Sequence, residues 1–282
     1  MIKAPISYMG SKRRLLKQLL PLFPENINTL YDLFAGGGTV SLNTKAKYYV
    51  WNDINKPLIN MYDELAKLDE EEIRAIGESS KKLGSKDYFL KLREEYNNGS
   101  RRSASDLYQL IIASFNGLAR FNQHGNYNMP WNNSKKLTDF YFENKNKQLL
   151  TYNQWAKKHS IVFSAKSYMD LIKNIKFNSD DFLYFDPPYT QTSAPYIDGN
   201  RSLSWTVDDD KKLLGYLDSL NELGIKFAMS NILSYRGEDN RILVDWLDQH
   251  KDIKAIHLNM DYRTSTYHTK PNKSDEVLIV NY

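Results

Sequence analysis

The chain has no cysteine among its 282 residues. That absence excludes disulfide bonds, zinc sites built on thiolates, and thiol nucleophiles. No apolar run approaches the roughly 18 residues that a membrane-spanning helix needs. The first residues, M-I-K-A-P, also lack the apolar core of a secretion signal. We therefore expect a cytoplasmic protein without a membrane segment.

The chain also lacks a large net charge, because 38 basic and 34 acidic side chains leave a net charge of only +4. Such a mild bias permits an anionic partner without requiring one. Hydrophobic residues at 41% and charged residues at 26% are typical of a globular chain. The length fits one large α/β domain, or one domain with an insertion. Tyrosine is abundant, at 20 residues, and aromatic side chains can stack on nucleic-acid bases.

The most informative stretch reads D-F-L-Y-F-D-P-P-Y and ends at Tyr189. Its apolar and aromatic residues from 181 to 185 predict a buried strand of a parallel sheet. Pro187 and Pro188 must end that strand, since proline has no amide hydrogen to donate. Asp186 is therefore expected at the carboxyl end of a strand, where open α/β sheets bind their ligands. An Asp-Pro pair alone is a common turn, whereas the full D-P-P-Y tetrapeptide indicates a site.

A second predicted strand end carries glycines. The strand predicted from Thr29 to Phe34 is followed at once by A-G-G-G-T-V, and glycine lets a backbone approach a ligand closely. Asp53 follows the next predicted strand, near the ~20-residue interval after Asp32 expected for an acid that binds ribose hydroxyls. Ser41 stands where a dinucleotide fingerprint needs its third glycine. We therefore expect a ribose-bearing cofactor without phosphates.

Between residues 56 and 152 the alternation of strand and helix disappears. Apolar spacing predicts helices over roughly 58–68, 70–83, 88–96 and 104–118. The polar and aromatic run over 119–133 predicts a hairpin or an ordered loop. Its arginine and amide side chains suit the edges of bases, although a plain surface hairpin would show the same pattern. After residue 156 the pattern of a sheet resumes.

The opening segment predicts a helix over residues 12–20, with Ser11 as its N-cap. Gly10 before such a helix leaves room for an anion, and Lys12 adds a positive charge there. Taken alone, Gly-Ser-Lys is weak evidence for a binding site.

The glycine turn and the D-P-P-Y turn together resemble the F-x-G-x-G and D-P-P-Y motifs of amino-group methyltransferases that use S-adenosylmethionine. Their order, with a helical insertion between them, is similar to the Dam-type DNA adenine-N6 methyltransferases, the D12 class, alpha group. The resemblance looks closest to the phage branch of that family. The opening Y-M-G-S-K, the N-D-I-N of residues 52–55 and the closing S-D-E-V resemble further elements of the family. The resemblance covers nearly the whole chain.

The resemblance implies an α/β fold, namely a Rossmann-like S-adenosylmethionine-dependent methyltransferase sheet with an inserted, mostly helical target-recognition domain. The catalytic domain is expected to comprise residues 1–55 and 156–282. The recognition domain is expected to comprise residues 56–155. The implied partner is double-stranded DNA, bound by a monomer or a weak dimer, with no metal.

The resemblance also implies roles for single residues. The expected catalytic residues are Asp186, Pro187 and Tyr189. The cofactor is expected to contact Tyr8, Lys12, Phe34, Gly36, Gly38, Asp53, Tyr168 and Asp186. The expected DNA-binding residues are Leu118, Arg120, Asn122 and Pro130, with Arg120 directed to a guanine. Ser7 stands where some bacterial members carry a base-reading lysine, so the outermost base pair is not predicted.

The expected reaction moves a methyl group from S-adenosylmethionine to N6 of an adenine flipped out of duplex DNA, at GATC or a related short site. The Asp186 carboxylate and the Pro187 carbonyl would accept both N6 hydrogens, and positioning with complementary charge would lower the barrier. Tyr189 would stack on the extruded base. The same tetrapeptide also serves enzymes that methylate cytosine N4, RNA adenine or protein glutamine. A further alternative is a non-catalytic DNA-binding protein on the same scaffold.

Overall fold

Strands and helices alternate at both ends of the chain, whereas its middle is helical. In the computed structural model the described residues are 1–99, 102–133, 136–173, 175–190, 196–198, 201–203, 205–259 and 274–282. The strands are β1 (Thr29–Asp32), β2 (Tyr48–Asn52), β3 (Ser160–Ser164), β4 (Phe182–Phe185), β5 (Tyr196–Asp198), β6 (Arg201–Leu203), β7 (Lys226–Tyr235), β8 (Glu238–Asp239), β9 (Lys254–Leu258) and β10 (Ser274–Val280). The α-helices are α1 (Leu16–Leu19), α2 (Lys56–Lys67), α3 (Glu70–Ser80), α4 (Lys86–Asn98), α5 (Ala104–Ala113), α6 (Asp139–Lys157), α7 (Tyr168–Ile172), α8 (Val207–Glu222) and α9 (Arg241–Gln249).

The central sheet has the strand order β3-β2-β1-β4-β7-β10-β9, with the short β8 paired to β7. Strands β3, β2, β1, β4 and β7 run parallel, and β10 is antiparallel to both of its neighbours. This mostly parallel sheet confirms the predicted Rossmann-like α/β class. Strands β1 and β4 are direct neighbours, with Leu30 opposite Phe182. Their carboxyl ends therefore meet at one edge of the sheet.

Side chains on the two faces of the sheet enter two separate cores, because successive strand residues point to opposite sides. Leu30, Phe182 and Tyr184 join the core on one face, while Leu183 and Phe185 join the core on the other. Helices α7, α8 and α9 cover the second core. All four residues of β4 are buried, which explains why its sequence is a continuous apolar run.

Asp181 is not the first residue of β4, as the sequence suggested. Its carboxylate accepts hydrogen bonds from Asn28 Nδ2 at 2.9 Å, from the Thr29 amide at 3.1 Å and from the Asn178 amide at 2.9 Å. Asp181 thus joins the amino ends of β1 and β4, and it satisfies backbone donors that the sheet leaves unpaired. The apolar strand begins one residue later, at Phe182.

Five helices, α2 to α6, make up the middle of the chain. Polar side chains cap all five helix starts, namely Asn55, Asp69, Ser85, Ser103 and Thr138. Their apolar faces share a core with the sheet, since the Trp51 ring of β2 lies 5.4 Å from Tyr62 and 5.8 Å from Trp155. The predicted division into domains at residues 55 and 155 stays a prediction.

The opening helix is shorter than predicted, and its predicted N-cap is wrong. Ser11 makes no side-chain capping bond, and its hydroxyl lies 3.1 Å from the Thr39 hydroxyl. A 3-10 turn, Lys12–Arg14, replaces the first helical turn. That turn carries Lys12 inward to a buried position, which a capped surface helix would not do.

We also searched the described residues for a membrane-spanning helix and for a group of side chains that could bind a metal ion. None of its helices is both long and apolar enough to cross a bilayer. Within the same residues, no group of three or more His, Asp or Glu side chains is placed to hold a metal ion.

Candidate active site

The glycine turn and the D-P-P-Y turn lie side by side, because they follow the adjacent strands β1 and β4. Lys12 connects this edge to the opening segment, since its Nζ lies 2.6 Å from Asp186 Oδ1 and donates to the Gly10 carbonyl at 3.1 Å. The same ammonium lies 5.2 Å from the centre of the Tyr189 ring. The Tyr189 hydroxyl donates to Asp186 Oδ1 at 3.4 Å. Three separated motifs therefore meet around one carboxylate.

The glycine turn needs glycine at two positions. Gly36 and Gly38 have φ of 49° and 68°, which side chains rarely adopt. A Cβ on Gly36 would lie 2.6 Å from the Tyr8 ring, and one on Gly38 would collide with the Trp51 ring. The missing side chains thus leave room for neighbouring aromatic rings.

Asp53 fixes the glycine turn from the end of β2. Its Oδ2 accepts a hydrogen bond from the Gly36 amide at 2.9 Å, and its Oδ1 accepts one from the Asn55 amide at 2.9 Å. The side chain is 6% exposed. A carboxylate accepts hydrogen bonds only, so it is the kind of group that binds ligand hydroxyls.

An aromatic cluster lies next to the glycine turn. The Phe34 ring is 5.2 Å from Tyr168 and 5.7 Å from Trp205. Sequence reasoning missed Trp205, although an aromatic residue directly before the capping Thr206 of α8 is a recognisable signal. Trp205 Nε1 donates to Asp210 at 2.7 Å, and the Thr190 hydroxyl donates to the same carboxylate. Asp210 therefore holds both the residue after the D-P-P-Y turn and the aromatic cluster.

Asp32, Asp53 and Asp186 are close enough that their charges affect one another. Asp32 is 1% exposed, and its Oδ2 accepts a hydrogen bond from the Ser41 hydroxyl at 2.6 Å. Its Oδ1 has no hydrogen-bond partner in the described part of the chain. Burial raises the pKa of Asp32 to about 7; the Ser41 bond opposes the shift, and the charges of Asp186 and Asp53 add to it.

The Lys12–Asp186 pair brings two opposite charges together where Lys12 is 6% exposed and Asp186 is 20% exposed. Burial raises the pKa of Asp186, and the attraction of Lys12 opposes that shift. Burial is the largest influence on Lys12 and by itself would lower its pKa. The attraction of Asp186, together with smaller effects of Tyr184 and Glu276, outweighs burial, so the pKa of Lys12 is raised. Lys12 therefore stays protonated near neutral pH and favours the ionised form of Asp186.

The predicted hairpin over residues 119–133 exists. An antiparallel bridge between Phe121 and Tyr127 encloses its turn, and an outer bridge joins Ser114 to Trp131. Arg120 is exposed, and its Nε donates to Asn128 Oδ1 at 3.0 Å. Pro130 is exposed and Leu118 is half-buried. Asn122 is directed into the turn, where its Oδ1 accepts hydrogen bonds from the amides of residues 124 and 126. Of the four residues predicted to contact DNA, Asn122 is thus engaged in holding the hairpin.

The helix predicted over 104–118 ends earlier, at Ala113 in α5. A turn at Phe115–Gly117 follows, because Asn116 and Gly117 take φ of 58° and 62°. Phe115 is 52% exposed on this turn. The Asn-Gly pair is the sequence signal that could have placed the helix end here.

A polar cleft of about 350 Å³ opens beside this turn. It is lined by Ser7, Ser114, Phe115, Asn116, Gly117, Asn132, Lys136 and Tyr141. Ser7 packs near Gly117, while the next residue, Tyr8, packs over Gly36. Asn55, beside Asp53, also donates a hydrogen bond to the Ala119 carbonyl at 3.3 Å. The cleft is therefore tied to the glycine turn through two short connections.

A comparison with family models decides the identity of this arrangement. The model described as D12 class N6 adenine-specific DNA methyltransferase matches residues 8–263 of the chain. The chain belongs to this family. The matched range includes both turns, Lys12 and the hairpin, so the predicted family is confirmed.

Individual relatives agree with the D12 assignment. Modification methylase StsI of Streptococcus sanguinis is 36% identical over 287 aligned residues, which cover 100% of this chain and 43% of that protein. Type II methyltransferase M.FokI of Planomicrobium okeanokoites is 34% identical with the same coverage. The DNA adenine methylase of Escherichia coli strain K12 is 27% identical over 254 residues, or 88% of this chain and 85% of that protein. The chain spans less than half the length of the first two relatives. The expected likeness to the phage branch stays a prediction.

The residues of this D12 chain fit the methyl donor that a methyltransferase implies. Asp53 offers a buried carboxylate beside a backbone turn at which a Cβ on Gly36 would intrude. Phe34 and Tyr168 offer aromatic faces next to that turn. A carboxylate, a glycine turn and aromatic rings match a ribose, a close backbone approach and an adenine ring.

Proposed function

We propose that this chain is a DNA adenine-N6 methyltransferase that uses S-adenosylmethionine and acts on an adenine flipped out of duplex DNA. The observation that carries the proposal is the meeting of Lys12, Asp186 and Tyr189 beside the glycine turn. Family membership and the names of the relatives support DNA as the substrate. We also propose that the enzyme acts in the cytoplasm, where its DNA substrate would be located.

The proposed cofactor contacts are Tyr8, Lys12, Phe34, Gly36, Gly38, Asp53, Tyr168 and Asp186. When bound, S-adenosylmethionine supplies an electrophilic methyl group. The Asp53 carboxylate would accept hydrogen bonds from the ribose hydroxyls, and Phe34 with Tyr168 would enclose the adenine ring. The Lys12 ammonium would attract the carboxylate of the cofactor. The position of Asp53, Phe34 and Tyr168 next to the glycine turn supports these contacts.

The proposed catalytic residues are Asp186, Pro187 and Tyr189. The lone pair of adenine N6 is delocalised into the ring, so N6 attacks poorly unless its two hydrogens are held out of the ring plane. Asp186 and the Pro187 carbonyl would accept these hydrogens and aim the lone pair at the methyl carbon. As N6 bonds to carbon, it loses a proton, and the raised pKa of Asp186 makes that carboxylate a better proton acceptor.

Base extrusion is proposed to depend on two aromatic side chains. Tyr189 would stack on the flipped adenine, which recovers about 1–3 kcal/mol of the unstacking cost. Phe115 projects from the edge of the cleft, where an exposed aromatic can fill the space that a flipped base leaves. Both side chains would therefore favour extrusion, Tyr189 by stacking on the flipped base and Phe115 by filling the space left in the duplex.

Recognition is proposed to rest on the hairpin, within a domain of residues 56–155. Arg120 is exposed and can bond a guanine edge, and Leu118 and Pro130 flank it. Asn122 would act on DNA through the shape of the hairpin. GATC or a related short site is the proposed target, bound by a monomer or a weak dimer without a metal. The second candidate, methylation of cytosine N4 or RNA adenine, shares the D-P-P-Y turn.

The test is mass spectrometry of nucleosides after incubation of the purified chain with S-adenosylmethionine. Duplex DNA with and without GATC, and an RNA of the same sequence, are the substrates. The proposal predicts N6-methyladenine in duplex DNA, with none from the Asp186→Ala variant. N4-methylcytosine, or methylation of RNA alone, would overturn it.

A further inference from the structure

Asp210, in the first turn of α8, carries a buried carboxylate to which the proposed chemistry gives no role. The residue is 9% exposed. Its Oδ1 accepts a hydrogen bond from Trp205 Nε1 at 2.7 Å, and its Oδ2 accepts one from the Thr190 hydroxyl. Each carboxylate oxygen therefore holds a different neighbour. Among the residues that the structure describes, no salt bridge joins Asp210 to a basic side chain.

The start of α8 does not need this carboxylate. Thr206 and Asp209 already form a capping box, in which the side chain of each bonds the backbone amide of the other. Asp208, in the same turn, is exposed. A buried carboxylate without a cationic partner is unfavourable unless hydrogen bonds stabilise it. The two hydrogen bonds of Asp210 supply that stabilisation, so the carboxylate and its two donors form one unit.

The first of these donors lies directly after the D-P-P-Y turn. The two prolines of the turn have no amide hydrogens that could hold it in place. One end of the turn is fixed by β4, and the other end is followed at once by Thr190, which donates to Asp210. Helix α8 also packs on β4, where the Tyr216 ring lies 6.4 Å from the Phe185 ring. The turn is therefore held at both ends relative to the same strand.

The second donor belongs to the aromatic cluster beside the glycine turn. The Trp205 ring lies 5.7 Å from the Phe34 ring and 6.2 Å from the Tyr168 ring. An indole has a single hydrogen-bond donor, so its bond to Asp210 fixes how the ring is oriented. Asp210 thus sets the position of one member of the cluster to which the adenine ring of the cofactor is assigned.

We propose that Asp210 is a positioning residue for methyl transfer, which joins the aromatic cluster to the catalytic turn. Through Trp205 it shapes the place where the cofactor binds, and through Thr190 it holds Tyr189 in position for the flipped base. The inference rests on the proposed function, because it assumes that the cluster binds S-adenosylmethionine.

The experiment separates the two bonds of the carboxylate. Asp210→Ala removes both, Thr190→Val removes one hydroxyl, and Trp205→Phe removes the indole N–H while keeping an aromatic ring. Asp210→Asn keeps an oxygen for the indole and an amide that can donate to the Thr190 hydroxyl. Asp208→Ala, at an exposed carboxylate in the same turn, is the control. For each variant, calorimetry measures binding of S-adenosylmethionine, urea unfolding measures stability, and duplex methylation at saturating cofactor gives kcat.

The two neighbours are expected to show different defects. Thr190→Val should lower kcat by about 10- to 10²-fold with cofactor affinity unchanged, because small misplacements of reacting groups are costly. Trp205→Phe should weaken cofactor binding by at least about 3-fold, since one hydrogen bond is lost. Asp210→Ala should show both defects, and adding Thr190→Val to it should lower kcat no further. Asp210→Asn should recover most of both losses.

Several results would overturn the inference and leave the proposed function standing. These are an unchanged kcat in Thr190→Val, a further loss of kcat when that change is added to Asp210→Ala, and equal losses in Asp208→Ala. Thr190→Val and Trp205→Phe keep the test decisive where Asp210→Ala folds poorly. Failure of the unchanged protein to bind S-adenosylmethionine or to methylate any duplex overturns both the inference and the proposed function.

Discussion

The sheet edge and the hairpin surface differ in how their side chains are held and in how far these are exposed. At the sheet edge, the candidate side chains are buried or half-buried and contact one another, and the register of β1 against β4 fixes the two turns that carry them. On the hairpin, backbone bonds and Asn122 fix the shape, while Arg120 and Phe115 extend into solvent. Chemistry needs groups held within fractions of an ångström, whereas recognition needs groups that can reach a partner. We therefore expect substitutions at the two surfaces to change different measurements.

The largest effect is expected at the sheet edge, from Asp186→Ala. Removing the carboxylate that would polarise N6 should lower the methylation rate by at least about 10²- to 10³-fold at saturating cofactor. Duplex binding should persist, because the hairpin is intact. Asp180→Ala, at an exposed carboxylate near the other end of β4, is the control. A variant that still methylates DNA at more than a tenth of the normal rate would contradict the assigned role.

Gly38→Ala is expected to damage the same edge through the backbone. Strain at φ 68° and the collision with Trp51 together should cost on the order of 1–3 kcal/mol in the free energy of unfolding. Cofactor binding should weaken as well. Chemical denaturation is the measurement, and Gly215→Ala on α8, where a Cβ meets nothing within 4 Å, is the control. That control should be neutral or slightly stabilising, since alanine favours helix. Equal behaviour of both variants would count against a strained turn.

On the hairpin surface, Arg120→Ala should change the choice of sequence more than the rate. Loss of one guanine contact is worth about 1–3 kcal/mol of discrimination at one base pair. Methylation of a library of duplexes, read by sequencing, would show relaxed selection at a single position. Arg241→Ala, at an exposed arginine on α9, is the matched control. A uniform loss on every sequence would instead indicate a phosphate contact.

The smallest effect concerns Asp32, the last residue of β1. Its pKa is raised to about 7, above the ordinary value near 4, so the folded state binds its proton more tightly than the unfolded state. Stability from this group is complete below pH 4 and is lost as the pH rises through 7. Asp32→Asn should flatten this dependence, by on the order of 1–2 kcal/mol between pH 5 and 8. Urea unfolding at several pH values measures the free energy of unfolding of both proteins. If the free energy depends on pH in the same way in both, the raised pKa of Asp32 is refuted.

Motifs at strand ends were readable from the sequence because their chemistry depends on residue type. The prolines after Phe185 and the glycines after Phe34 predicted two turns at a sheet edge, and the structure has them side by side. The turn at Phe115 was missed, because its apolar neighbours continue the helical spacing of α5 and only Asn-Gly marks the break. Ser11 was wrongly predicted as a cap. The next residue, Lys12, is instead paired with Asp186, which lies 174 positions away in the sequence and is therefore invisible to local patterns.

Asp210 shows a second limit of sequence reasoning. Its acidic neighbours suggest an ordinary first turn of α8, which the Thr206 capping box confirms. Its own carboxylate is instead buried against Trp205 and Thr190. Which member of an acidic run turns inward is decided by packing, and periodicity alone does not reveal it.

Calorimetric titration of S-adenosylmethionine into the unchanged protein, Asp53→Ala and Asp186→Ala tests most directly whether the ends of β2 and β4 serve one pocket. We expect a single site in the unchanged protein and clearly weaker binding in both variants. Full affinity in either variant would contradict the shared pocket on which the account depends.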